Sequence, residues 1–368
     1  MAFSSTSAQG RRSFLCTALA ATLLAGCATG NRPAQNVLPK VNRVAVLVPL
    51  SGPDAAVGQA LERSARLALL DSGSNAFQIS VYDTVEGGAG AAAARAIAGG
   101  HGLILGPLRS EEVQAVTPLA QRARVPVISF SNDRDAAAPG TYVLGFTPTQ
   151  AIERVVAQAA SGGARRFVAV VPTSTYGQRS VQALVAAVQR IGGQVTAVES
   201  YAAPDQARAA ARRLGNRPYD AVLLADSGRV AALAAPAIRS GARILGTELW
   251  AAGNLGATPR LRGAWYAAPA QGRWGQFVQR YRARYGGEAP PRIASLGYDA
   301  VLLSVRAART WQPGRRFPLG AIDDPEGFVG VDGVFRFRSD NVAQRAFEIR
   351  SVTAGGSTVI SPAPTSFR

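Results

Sequence analysis

The stretch Arg43–Leu70, RVAVLVPLSGPDAAVGQALERSARLALL, decides how the chain is read. Its opening, RVAVLVPL, is a nearly continuous apolar run, as expected of a strand buried on both faces of a parallel sheet. SGPDAAVG then supplies turn residues. In QALERSARLALLD the apolar positions return at helical spacing, which gives a helix with one buried face. Strand, turn and helix together make half of a βαβ unit.

The chain repeats the unit. FQISVYD (77–83) alternates as a strand, and GAGAAAARAIAGG (88–100) reads as an Ala-rich helix closed by glycine. GLILGPL (102–108) is another buried strand. SEEVQAVTPLAQRA (110–123) follows as a helix, with Ser110 the expected N-cap and Glu111 and Glu112 favourable to its dipole. VPVISFS (125–131) is a fourth strand. A second series has strands in RFVAVVP (166–172), QVTAVESY (194–201), YDAVLLAD (219–226) and ARILGTE (242–248), with helices in 177–193, 205–215 and 228–241 between them. Alternation of this kind predicts an α/β fold of two doubly wound parallel-sheet lobes with a central cleft at the strands' carboxyl ends. Helices in 274–287 and 293–310 are expected to return to the first lobe, and 332–356 reads as short antiparallel strands. The expected division is 42–148 plus about 267–328 for lobe 1, and 149–266 plus about 329–362 for lobe 2.

The leader is separate from this fold. Arg11 and Arg12 precede the apolar run FLCTALAATLLAG, so residues 1–26 read as an export signal, Sec or twin-arginine. It ends in Leu24-Ala25-Gly26-Cys27, which matches a lipobox: Cys27 supplies the thiol for lipid attachment, and small residues ahead of it admit the peptidase. Cys16 and Cys27 are the only cysteines, so cleavage before Cys27 leaves one thiol and no possible intramolecular disulfide. Residues 27–41 form a polar, Pro-containing tether.

Composition excludes several classes. With 47% hydrophobic and 17% charged residues in 368, the chain is long and apolar enough for packed cores. The net charge of +17 is carried by scattered arginines, Lys40 being the only lysine, and no aromatic-interleaved cluster points to nucleic acid. His101 is the only histidine and reads as a solvated turn residue, without partners for metal or acid–base work. GGAGAAAA lacks the third glycine of a dinucleotide loop, and Asp323-Asp324 reads as a solvated turn. No GxSxG, HExxH or P-loop occurs. The reading is a binding module, not an enzyme, with no cofactor and no metal.

VAVLVPLSGPDAAVGQALERSARLAL resembles the opening of the type I periplasmic-binding fold of the leucine-binding-protein class. LILGPLRSEEVQAV, VPVISFSN, STYGQRSVQALVAAVQRIGGQV and YDAVLLADSGRVAALAAPAIRSG continue the resemblance in order, from Arg43 to about Pro362. Two branches of the class fit. In the amino-acid receptors of ABC importers, the matching ligand positions are Ser51, Ser110, Ser131, Tyr176, Asp226 and Glu248. That resemblance implies Ser110 at a helix N-terminus for a ligand carboxylate and Glu248 for its ammonium group. Val57 stands where those receptors commonly have an aromatic wall, and Arg109 sets a large cation beside the carboxylate position.

The other branch is the penicillin-binding protein activators, the LpoA family of outer-membrane lipoproteins. VYDT, GPLRSEEV, YDAVLL…DSGRVAAL and LRGAWYAAPA are similar to its C-terminal domain. The larger activators carry an N-terminal helical-repeat domain, for which the short tether leaves no room. Ala28 after Cys27 resembles the outer-membrane sorting pattern, which favours this branch. It implies a lipoprotein on the inner leaflet of the outer membrane, facing the periplasm, with a peptidoglycan synthase as partner. The importer branch implies an ABC permease and a small amino-acid ligand instead.

Overall fold

The computed structural model describes residues 1–3 and 41–367, of which 41–367 lie in one compact unit. Residues 4–26 of the leader, the two cysteines and nearly all of the tether fall outside the described residues. No helix among the described residues is long and apolar enough to cross a membrane.

The first lobe alternates β1 (Asn42–Val48), α1 (Ala55–Ser72), β2 (Phe77–Asp83), α2 (Gly88–Ala98), β3 (Leu103–Leu105), α3 (Ser110–Ala123), β4 (Val127–Ser129) and β5 (Thr141–Val143). Its sheet is parallel throughout, in the order β2-β1-β3-β4-β5. The continuous apolar run of β1 has the expected cause. Val44, Val46 and Val48 pack on one face with Leu61, Ala65 and Ala68 of α1, while Ala45 and Leu47 pack on the other with the alanines of α2. Successive strand residues point to opposite faces, and here both faces are covered.

The second lobe continues with α4 (Pro148–Ser161), β6 (Arg166–Pro172), α5 (Thr175–Arg190), β7 (Gln194–Tyr201), α6 (Ala207–Arg213), β8 (Ala221–Leu224), α7 (Gly228–Ala234), β9 (Arg243–Gly246) and β10 (Trp265–Pro269). The chain then runs through α8 (Trp274–Tyr285), α9 (Ala294–Ala308), β11 (Phe328–Gly330), β12 (Gly333–Phe337), β13 (Ala343–Arg345), β14 (Phe347–Thr353) and β15 (Gly356–Ser361). The second sheet has the order β15-β14-β10-β9-β8-β6-β7; it is parallel from β10 to β7, with β14 antiparallel to β10 and β15 antiparallel to β14. Helices α8 and α9 pack against the first lobe: Phe277, Tyr281, Leu296 and Val301 share a core with β1 and α1.

Both lobes start with the same device. The first helix after the first strand passes so close to the strand's end that a Cβ on Gly58 would sit 1.7 Å from the Pro49 carbonyl oxygen, and one on Gly177 would sit 1.8 Å from that of Pro172. Glycine is required at both positions by lack of space.

The segment boundaries differ from the expected ones. β10 lies wholly in the second sheet, so residues 267–269 do not return to lobe 1. Phe328, Phe335, Phe337 and Ala343, from the small β11-β12-β13 sheet, pack in the first core, so 329–345 does not pass to lobe 2; only β14 and β15 do. The cause is the apolar side chains of this short sheet, which are buried in the first core, Phe337 packing edge-on against Tyr142 of β5. β5 and α4 had no reading in the sequence. His101 is not solvated: it is 4% exposed, its Nδ1 lies 2.8 Å from the Ala96 carbonyl, and Tyr82 packs edge-on against its ring. Burial pushes its pKa down.

One ionic cluster ties the places where the chain passes between lobes. Arg345, at the end of β13, donates from Nε and Nη2 to the Leu144 carbonyl (3.2 and 2.9 Å), just before α4 opens lobe 2. Arg292 donates from Nη2 to the Ala270 carbonyl (2.8 Å), where β10 leaves lobe 2, and from Nε to Asp332 Oδ1 (2.6 Å). Ser295 donates to the other oxygen of Asp332. Asp299 Oδ2 lies 3.9 Å from Arg345 Nη1, and Asp299 Oδ1 accepts from the Val331 N–H (2.8 Å). The Arg345 guanidinium lies between the rings of Phe146 and Phe335.

Candidate ligand cleft

A cleft of about 510 Å³ opens at the carboxyl ends of strands from both sheets. Lobe 1 contributes Asp54 from the β1–α1 turn, Leu108 to Glu111 from the β3–α3 junction, and Phe130 and Asn132 after β4. Lobe 2 contributes Thr175 at the start of α5, Glu248, Leu249, Ala251 and Ala252 after β9, and Pro269 at the end of β10. Phe146, Arg292 and Ile293 close it from the passages between lobes. Most of this lining is apolar, and the volume is in the range of small-molecule sites.

Of the residues expected in a ligand site, Arg109, Ser110 and Glu248 line the cleft. The others do not. Ser51 donates to Asp83 Oδ2 (2.8 Å) and so fixes the β1–α1 turn, with Asp83 also accepting from the Leu50 and Val85 N–H groups. Burial raises the Asp83 pKa, but these hydrogen bonds outweigh it and hold the group below the usual carboxylate range. Ser131 is buried, accepting from the Asp133 N–H and donating its own N–H to Ser129. Asp226 accepts from the Tyr201 hydroxyl (2.7 Å). Tyr176 stands behind the wall: its hydroxyl lies 2.9 Å from Thr247 Oγ1 and donates to Glu248 Oε1 at 2.9 Å.

Ser110 is also not the helix cap. Arg109 holds that position in an extended conformation, and its N–H donates to Glu112 Oε2 (3.1 Å), half of a capping box. Ser110 is the first helical residue, and its hydroxyl reaches only Glu111, at 3.4 Å.

The charged groups of the cleft are unevenly partnered. Arg109 donates to Asp54 through Nε (2.8 Å) and Nη2, and has Glu111 3.7 Å away. Arg292 is committed to Asp332, to Gln271 Oε1 (3.2 Å) and to the Ala270 carbonyl, with its guanidinium over Trp274. Glu248, 8% exposed, has one oxygen on Tyr176 and no hydrogen-bond partner for Oε2 among the described residues. Burial pushes its pKa up to about 7, against the opposing effect of its own backbone N–H and the Tyr176 hydroxyl. Burial and the Glu248 carboxylate likewise hold the Tyr176 hydroxyl well above its ordinary pKa.

The sequence reading missed Asp54, Glu111, Asn132, Thr175 and Arg292. Glu111, Asn132 and Thr175 were within reach, since each is next in sequence to a residue already singled out. Arg292 had no local signal, because it arrives from a distant segment that crosses back between the lobes.

Comparison with known proteins places this geometry. A branched-chain amino acid ABC transporter protein from Rhodospirillum rubrum, described as putative, superimposes with a TM-score of 0.77 at 22% identity, over 87% of this chain and all of that one. The LpoA C-domain from Haemophilus influenzae, a regulator of PBP1A, gives 0.68 at 17% identity, over 87% of this chain and all of that one. In sequence, the chain is 27% identical over 173 residues to the penicillin-binding protein activator LpoA of Mannheimia succiniciproducens, covering 46% of this chain and 29% of that one. The curated relatives it matches are covered over only 38% and 29% of their lengths. The fold fits both activators and amino-acid-binding proteins. The periplasmic binding protein family model matches residues 42–356, and the chain belongs to that family.

Proposed function

We propose that the chain is a non-enzymatic envelope regulator of the penicillin-binding protein activator kind, acting on a peptidoglycan synthase by protein contact. The observation that carries this reading is the partnering of the cleft arginines. A receptor that took an amino acid's carboxylate on an arginine would need that guanidinium free. Arg109 and Arg292 are both held by carboxylates of the chain itself. The sequence likeness to an LpoA supports the same branch. In the proposed mechanism, the two lobes present a surface that binds the active conformation of the synthase better than the inactive one, and so shifts its population. Lipidation at Cys27, followed by Ala28, would hold the protein at the outer membrane facing the periplasm.

The test is reconstitution. Purified protein is added to the host's bifunctional penicillin-binding proteins, and binding and glycan polymerisation are measured. Stimulation of one of them is expected; failure to bind any would overturn the reading. A solute receptor working with an ABC permease is the second reading, favoured by the size and apolar lining of the cleft. It predicts saturable binding of an amino acid that Glu248→Ala and Ser110→Ala abolish.

A further inference from the structure

The charge distribution of the cleft runs against that of the molecule. The chain carries a net charge of +17, yet the cleft is lined by Asp54, Glu111 and Glu248 against Arg109 and Arg292. Arg292 is neutralised by Asp332. Arg109 is neutralised by Asp54, with Glu111 next to it. Glu248 remains, more than nine-tenths buried, with no hydrogen-bond partner for Oε2 among the described residues.

The N-terminus of α3 also points at this space and would ordinarily attract an anion. Here its first turn carries Glu111 and Glu112, and Asp54 lies across the entrance. Their charges offset the positive end of the helix dipole at short range, although Asp54 and Glu111 are themselves partly to largely exposed. A carboxylate entering there would meet three carboxylates and one cation already engaged.

We infer that the cleft takes a small apolar ammonium compound without a carboxylate, an alkyl- or aralkylamine, with Glu248 as its counter-ion and the aromatic and aliphatic wall around its body. The inference concerns the cleft alone and stands whether or not the chain regulates a synthase. It also gives Tyr176 a role, since the tyrosine hydroxyl holds one oxygen of Glu248 while the other has no hydrogen-bond partner among the described residues.

A matched ligand series tests it. Isopentylamine, leucinamide, leucine and 4-methylpentanoate share one apolar body and differ only in charge. Each is titrated calorimetrically into the purified full chain, with phenethylamine and phenylalanine as the aromatic pair. The amines and the amide bind, the amino acids bind at least about tenfold more weakly, and the carboxylate does not bind. Affinity for the amine rises from about pH 6 to about pH 8 as Glu248 ionises. Glu248→Gln lowers amine affinity by about tenfold or more while keeping the side-chain shape. Leucine binding as tightly as isopentylamine, any binding of 4-methylpentanoate, or no binding in the series would each overturn the inference. If Glu248→Gln fails to fold, the wild-type series and its pH dependence decide alone. No synthase is present in these titrations, so their failure and a failed reconstitution are distinguishable.

Discussion

Glu248 in the cleft and Asp299 between the lobes are both buried carboxylates, 8% and 1% exposed, but their surroundings differ. Asp299 lies in a cluster that also holds Asp332, Arg345 and Arg292, two acids and two bases packed between lobe passages. Glu248 has a tyrosine hydroxyl and no cation near enough to pair with it among the described residues. Burying a charge costs several kcal/mol unless a partner offsets it. Between the lobes the chain supplies the opposite charge, Arg345 Nη1 lying 3.9 Å from Asp299 Oδ2 although neither of these two atoms makes a hydrogen bond, and the cluster fixes how the segments cross. In the cleft no cation among the described residues offsets Glu248, and the inferred amine would take that place.

The largest expected effect comes from breaking the hinge. Arg345→Leu strands Asp299 beside Asp332 and leaves the Leu144 carbonyl unpaired, so it costs about 3–5 kcal/mol. Burial and the nearby Asp332 already push the Asp299 pKa up. Adding Asp299→Asn removes the stranded charge and recovers part of the loss, a coupling that a double-mutant cycle in denaturant reads directly. Additive losses would show that the two groups do not act together.

The cleft should respond in the opposite direction. Glu248 has a folded-state pKa of about 7, above its ordinary 4.5. Its contribution to stability is therefore fully present below about pH 4.5 and is lost as pH rises through about 7. Glu248→Gln removes that loss, so at alkaline pH the variant is more stable than the parent by about 3 kcal/mol. In acid the two are close. Denaturant unfolding at both pH values checks this, and an equal difference at the two would contradict it. Substitution at the hinge destabilises; substitution in the cleft stabilises.

A smaller change separates Glu248 from its support. Tyr176→Phe removes the hydroxyl that lowers the Glu248 pKa, so that pKa rises further, by about one unit or less. The midpoint of any pH-dependent amine affinity moves up by the same amount. An unchanged midpoint would mean that the tyrosine does not tune the carboxylate.

How much of this was legible in the sequence depends on the range of the signal. β1, β6 and β8 were legible because burial on both faces writes a local apolar run. The paired devices at Gly58 and Gly177 were visible only as glycines, since the carbonyls they approach are set by the fold. The placement of β11 to β13 was not legible, because a short antiparallel strand reads alike in either lobe. In the cleft, Arg109 and Glu248 could be named from resemblance, but their charge partners could not. Asp54 and Arg109 are 55 positions apart, and Arg292 and Asp332 are 40 apart. Without those pairs, Arg109 reads as a free cation and Ser110 as a carboxylate ligand.

Ser110 gives the smallest effect and the sharpest test of that misreading. A true N-cap serine accepts a hydrogen bond from the helix backbone, and its replacement by alanine costs about 1 kcal/mol. Ser110 sits one position later, where its hydroxyl reaches only the partly solvated Glu111 at 3.4 Å. Alanine is also the better helix former at that position. Ser110→Ala should therefore change stability by less than about 0.5 kcal/mol, and it should leave the amine affinity of the cleft nearly unchanged. A loss of about 1 kcal/mol would restore the cap. A selective loss of amino-acid affinity would restore the carboxylate site, and with it the receptor reading that the paired arginines disfavour.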